Sequence, residues 1–275
     1  MGGKTMAFGK TIELFLVNGT PDSLVTAELS NWNGKAIKIP RNEVQGCIRD
    51  DIKGAGVYFL FCQEEDGTDS VYIGEAENVQ DRLVGHLHSK EDYYWNTAVI
   101  FIGRDLNKAH IRYLENRLVS ITKECNRVKV LTKNTYQKTV LKESQIATLE
   151  EFIENIKVLI NTLGYRILIP MPQVNDSTVL LRCHKAKGFI SAGGLTVLKG
   201  SVVNDHDAPS FHVHGPGFFK LRHRLFDEGI ISPDFEFTMD YEFSSPSAAS
   251  AVVLGRISNG LKEWKTYDGK KLKDL

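Results

Sequence analysis

Six side chains in this sequence could do chemistry together: Tyr58, Tyr72, Arg82, His86, Glu115 and Asn134. Hydrolysis of a phosphodiester needs a base to activate water, positive charge against the crowded phosphoryl group, and help for the departing oxygen. A carboxylate such as Glu115 can hold a divalent metal, Arg82 can neutralise non-bridging oxygens, and a tyrosine or His86 can move the proton. A single carboxylate argues for one metal ion rather than a two-metal clamp. Taken singly, each residue has a plainer use. Strand tyrosines pack, Arg82 and His86 suit a helix surface, Glu115 can pair with Arg112 one turn earlier, and Asn134 in TKNTYQ suits a turn. Only the joint arrangement favours chemistry, so the elements that would hold it decide.

GVYFLFC and SVYIG are β-rich runs joined by QEEDGTD, whose Asp66-Gly67 pair signals a hairpin. On such a hairpin Tyr58 and Tyr72 meet on one face if the register agrees. A helix follows through Leu87, with Arg82 and His86 four apart on one side of it. Next come the strand NTAVIFIG and a helix from about Lys108 to Glu124, with Ile111, Leu114, Leu118 and Ile121 as its apolar stripe and Glu115 beside them. KESQIATLEEFIENIKVLINTLG reads as a third helix stopped by Gly164. Ahead of the hairpin, TIELFLVNGTPDSLVTAEL suggests two short strands around a turn, and GKAIKIP another. The opening MGGKTMAFGK reads partly as an added leader, with Met6 as the original start.

The segment YRILIPMPQVNDSTV, with two prolines and a polar cluster, marks a boundary. Beyond it lie short strands with glycine turns and a helix near FKLRHRLFDEG. In FSSPSAASAVVLG a compact helix has Ser245 as N-cap, Pro246 at its first position and Gly255 as its stop. Between the short strands and the FKLRHRLFDEG helix, HDAPSFHVHGPG reads as an exposed loop rather than a zinc site. The expected organisation is an N-terminal β element over 1–53, a central domain over 54–169 and a C-terminal α+β accessory domain over 170–275.

The triplets GVY at 56–58 and YIG at 72–74, Arg82 eight residues past Gly74, His86 four further on, and Glu115 on a later helix together resemble the GIY-YIG endonuclease family. The likeness covers roughly residues 54–135, and the first triplet departs only by Val57 for isoleucine. It implies an α+β fold with a small three-stranded antiparallel sheet flanked by helices. It also implies metal-dependent, one-step attack of water on a DNA backbone, leaving a 5′-phosphate and a 3′-hydroxyl. On this resemblance Glu115 ligates a single Mg²⁺ or Mn²⁺, Tyr58 or Tyr72 is the general base, Arg82 stabilises phosphoryl charge, and His86 assists proton movement. Asn134 would close the site, and His88, facing away from His86, stays outside it. A free phenol titrates near pH 10, so a cation beside it is needed to favour the phenolate. The stretch from Met239 onward resembles an uncharacterised module behind some GIY-YIG nucleases, similar to small domains attached to restriction-methylation enzymes. Within it, Trp264 or Phe243 could stack on a base and Arg256 or Lys262 meet phosphate, or Trp264 could simply cover the small-residue helix.

Composition is that of a soluble protein, with 42% apolar and 25% charged residues over 275 positions. No apolar run approaches a membrane span, and four scattered cysteines suit a reducing cytoplasm. The net charge is zero. Between Arg104 and Lys142, however, ten cations face three carboxylates, a local +7. That suits contact with nucleic acid, DNA above all, weakening with salt. One metal site per chain would make double-strand cutting the work of a homodimer or of two sequential nicks. The competing expectation is a non-cleaving DNA-binding or adaptor protein on the same fold.

Overall fold

Strand pairing in the first part of the chain follows from which runs are apolar on both sides. The computed structural model describes residues 9–63, 69–89, 93–133, 139–175 and 177–275, and these divide into two compact units, 1–170 and 171–275. The Asp66-Gly67 pair, Asn134 and the residues before Gly9 lie outside the described residues.

In the first unit, β1 (Ile12–Leu16), β2 (Val25–Leu29) and β3 (Gly34–Pro40) form an antiparallel meander. Strands β4 (Gly56–Gln63) and β5 (Asp69–Ala76) pair antiparallel from Gly56 opposite Ala76 to Gln63 opposite Asp69. β6 (Trp95–Gly103) lies between β4 and β3, and β7 (Lys129–Val130) joins β5 in parallel. The order is β1-β2-β3-β6-β4-β5-β7. This is an α+β fold whose central antiparallel strands β6, β4 and β5 are those the sequence suggested. The N-terminal strands, expected as an element apart, are hydrogen-bonded into the same sheet through β3 and β6. The cause lies in GKAIKIP: Ala36 and Ile37, adjacent and pointing to opposite faces, are both fully buried. A strand apolar on both faces suits the interior of a sheet covered on both sides, and β3 pairs there with β2 and β6.

Helix α1 (Val79–His88) covers one face, where Val79 and Leu83 join Ile37, Leu60 and Ile100 in a buried cluster. Helices α2 (Lys108–Cys125) and α3 (Glu143–Thr162) cover the other, packing Ile111, Leu114, Leu118, Phe152 and Ile156 on Val57, Phe59 and Phe101. Each such buried side chain contributes about 1.5–3 kcal/mol. Asn78 caps α1 by accepting from the Asp81 amide, and the Asn107 side chain caps α2.

The second unit holds a five-stranded sheet in the order β11-β10-β9-β8-β12. Its strands are β8 (Leu181–Cys183), β9 (Ala186–Ser191), β10 (Gly194–Val197), β11 (Tyr241–Phe243) and β12 (Lys265–Thr266). With them come α4 (Phe211–His214), α5 (Pro216–Asp227), α6 (Pro246–Leu254) and α7 (Gly260–Glu263). Helix α6 is built as its sequence suggests: Ser245 Oγ accepts from the Ala248 amide, and Gly255 ends the helix at φ 62°. Trp264 is fully buried against it, its indole N–H donating to Pro246 O at 3.1 Å. Phe243 is likewise buried, so neither ring offers a face to a base, and Arg256 is paired with Glu263 at 3.0 Å.

Candidate active site

Register brings the two tyrosines together. Tyr58 stands opposite Gly74 and Tyr72 opposite Leu60, so both phenols project from the α1 face of the hairpin. Their rings stack with centroids 6.2 Å apart. Gly74 leaves room for the stacked phenols, and Gly56 for the close approach of β6 and α1. A Cβ on Gly74 would lie 2.4 Å from the Tyr58 hydroxyl, and one on Gly56 would lie 2.6 Å from Phe101 O. Helix α1 then presents two side chains one turn apart. Arg82 Nε–H donates to the Tyr58 oxygen at 3.2 Å, and His86 Nε2 shares a hydrogen bond of 2.9 Å with the same oxygen. His86 is buried, edge-on to Tyr72 at 5.3 Å.

These contacts set the electrostatics. Burial pushes the Tyr58 phenol well above its usual pKa, and Tyr72 adds to the rise, while Arg82 pulls against it. Burial would lower the Arg82 pKa, but its hydrogen bonds to Tyr58 and Tyr72 more than compensate and hold the guanidinium charged.

Glu115 comes from α2, on the other face, and is within electrostatic reach of both Arg82 and Tyr58. It is 5% exposed, and its Oε2 has no hydrogen-bond partner among the described residues. Burial, then the like charge of Glu75, pushes its carboxyl up to about 7, opposed by Arg82, Lys108 and Arg112. An unpartnered buried carboxylate is costly unless something cationic meets it. Glu75, the residue after the second motif glycine, was not among the expected site residues. Its buried carboxylate takes Lys108 Nζ at 3.3 Å and Arg112 Nε at 3.9 Å. Arg112 thus faces Glu75. Strand parity was the available signal, since Glu75 shares its face with Val71 and Ile73, against α2.

The loop after β7 is tied to the motif strand. Thr132 is buried, and its hydroxyl both accepts from the Ile73 amide and donates to the Ile73 carbonyl, each at 2.8 Å. Of the six expected residues, the structure brings five into one neighbourhood, and Asn134 lies outside the described residues.

A family model for a domain of unknown function (DUF4357) matches residues 180–275. The match starts one residue before β8 and takes in all five strands of the second sheet. No curated protein matches the chain, and no solved structure does. Among the described residues no helix is long and apolar enough to cross a membrane.

Proposed function

We propose that the first unit is a GIY-YIG-type endonuclease that hydrolyses DNA phosphodiester bonds by direct attack of water. The observation that carries this is the buried, unpartnered carboxylate of Glu115 beside the hydrogen-bonded cluster of Tyr58, Arg82 and His86. The residues fit a single Mg²⁺ or Mn²⁺. Among the described residues no three His, Cys, Asp or Glu side chains are grouped to hold a metal ion. One or two carboxylates, with water and substrate phosphate completing the shell, are what Mg²⁺ commonly uses. Glu115 would hold the ion, and the chemistry it supplies when bound is polarisation of the phosphoryl oxygens.

The chain's own groups do the rest. Arg82 lends a fixed positive charge to the phosphoryl group. Tyr58 and His86 form the proton-transfer pair: with the phenol oxygen accepting from Arg82, its own proton can be donated to His86 Nε2. Tyr72, half-buried, forms the outer wall. Glu75 keeps Lys108 and Arg112 near Glu115, where DNA backbone would approach.

One observation favours the second reading, a non-cleaving DNA-binding protein: Tyr58 is fully buried, and burial raises its phenol pKa. The deciding experiment is incubation of plasmid, linear duplex, single-stranded and branched DNA with Mg²⁺ or Mn²⁺, beside Glu115→Ala. Cleavage by the native chain and none by the variant, with DNA binding retained, is the expected result. Binding without cleavage by the native chain would establish the second reading.

A further inference from the structure

Next to the candidate site lies an aromatic surface that the reaction itself does not use. Tyr93 stacks on Tyr72, ring centroids 5.9 Å apart and 18° from parallel, extending the row begun by Tyr58. Its neighbour Tyr94 is 67% exposed. The Arg41 guanidinium sits 4.8 Å from the Tyr94 ring centroid and 4.7 Å from that of buried Trp95. Arg41 also donates to Leu87 O at 3.4 Å, near the end of the helix that carries Arg82 and His86. A tyrosine ring standing in solvent, braced by a cation and joined by its own backbone to the wall of the site, resembles the sites that hold single-stranded nucleic acid. There, successive bases stack on aromatic rings, and arginine adds cation–π and phosphate attraction. Bases inside an intact duplex are already stacked and cannot present a face to such a ring.

We propose that Tyr94, braced by Arg41 and Trp95, is a stacking platform for an unpaired base of the strand being cut. The substrate is then DNA with unpaired nucleotides at the cleavage point rather than uninterrupted duplex. This rests on the nuclease reading above, but its test does not need cleavage.

The test measures binding of the full chain by fluorescence anisotropy, without divalent metal. The probes are a single-stranded oligonucleotide, the same strand bearing abasic sites, and its duplex. Tyr94→Ala should weaken single-strand binding about 5- to 100-fold. Tyr94→Phe should stay close to native, because the ring and not the hydroxyl is used. The abasic strand should bind the native chain more weakly and show no dependence on Tyr94, and duplex binding should not change. The exposure of Tyr94 makes loss of folding an unsuitable explanation for these effects. The platform is overturned if Tyr94→Ala leaves single-strand binding intact, or if Phe costs as much as Ala. Cleavage of the same probes in Mg²⁺ separates the two claims. Cutting with no dependence on Tyr94 removes the platform and leaves the nuclease. Tyr94-dependent binding with no cutting of any probe removes the nuclease and leaves the platform.

Discussion

At the scale of single residues, Glu115 links stability to pH. Its folded-state pKa of about 7 lies above the 4.5 of an unperturbed carboxyl, so folding favours the protonated form. The associated stability is fully present below pH 4.5 and is lost as pH rises through 7. The size is about 1–3 kcal/mol, the lower end allowing for solvent screening. Metal-free native protein should therefore lose more thermal stability between pH 4.5 and 7.5 than Glu115→Gln. Parallel Tm-versus-pH curves for the two would contradict the assignment. On the proposed nuclease reading, Tyr58→Phe should lower cleavage by about 100-fold or more, because Arg82 and His86 lose their shared partner, and Tyr72→Phe should lower it less. A plasmid-nicking time course with both variants would reveal the opposite order if Tyr72 is the base. That Tyr58, Tyr72, Arg82 and His86 come together was legible because hairpin register and a one-turn helix spacing place them on facing elements. Glu75 was not, because a lone glutamate after a glycine reads as a surface residue until a helix is known to cover its face.

Elements carry the precision of the site. The hairpin sets the phenols on one face, and Gly74 exists so that Tyr58 can lie across the neighbouring strand. Gly74→Ala should displace the Tyr58 ring and, on the proposed nuclease reading, abolish cleavage even where circular dichroism shows the fold retained. Thr132→Val should strand the amide and carbonyl of Ile73 at the lower edge of the motif strand, costing roughly 2–3 kcal/mol. Native-state hydrogen exchange at the Ile73 amide is the direct readout, and unchanged protection would show that the tie is dispensable. The limits of α2, α3 and α6 were readable to within a residue or two, since Gly255 and the apolar stripe of α2 are local signals, whereas the short α4 lies in a stretch that read as a loop. The tie from Thr132 to Ile73 was not, because residues 59 apart come together only through the parallel seat of β7.

For the whole molecule, two units with separate hydrophobic clusters should respond separately to damage. Trp264→Ala should destabilise the second unit by about 3–5 kcal/mol and, on the proposed nuclease reading, leave cleavage by the first unchanged. Two-probe thermal melts, with activity followed alongside, would show a single shared loss instead if the units were energetically one. The boundary near Pro170 was visible in the prolines and polar cluster around it. The union of the N-terminal strands with the central sheet was not, because the pairing partner of β3 lies far along the chain: Pro40 pairs with Thr97 and Gly34 with Gly103. That separation bears on biosynthesis. At ribosomal speeds the interval between completing β3 and completing β6 is roughly 3–12 s, during which β3 keeps a bare apolar edge of the kind that recruits other chains. A pause in translation between these two strands would prolong that exposure, so codon choice over residues 41–103 should govern how much of the protein is recovered soluble.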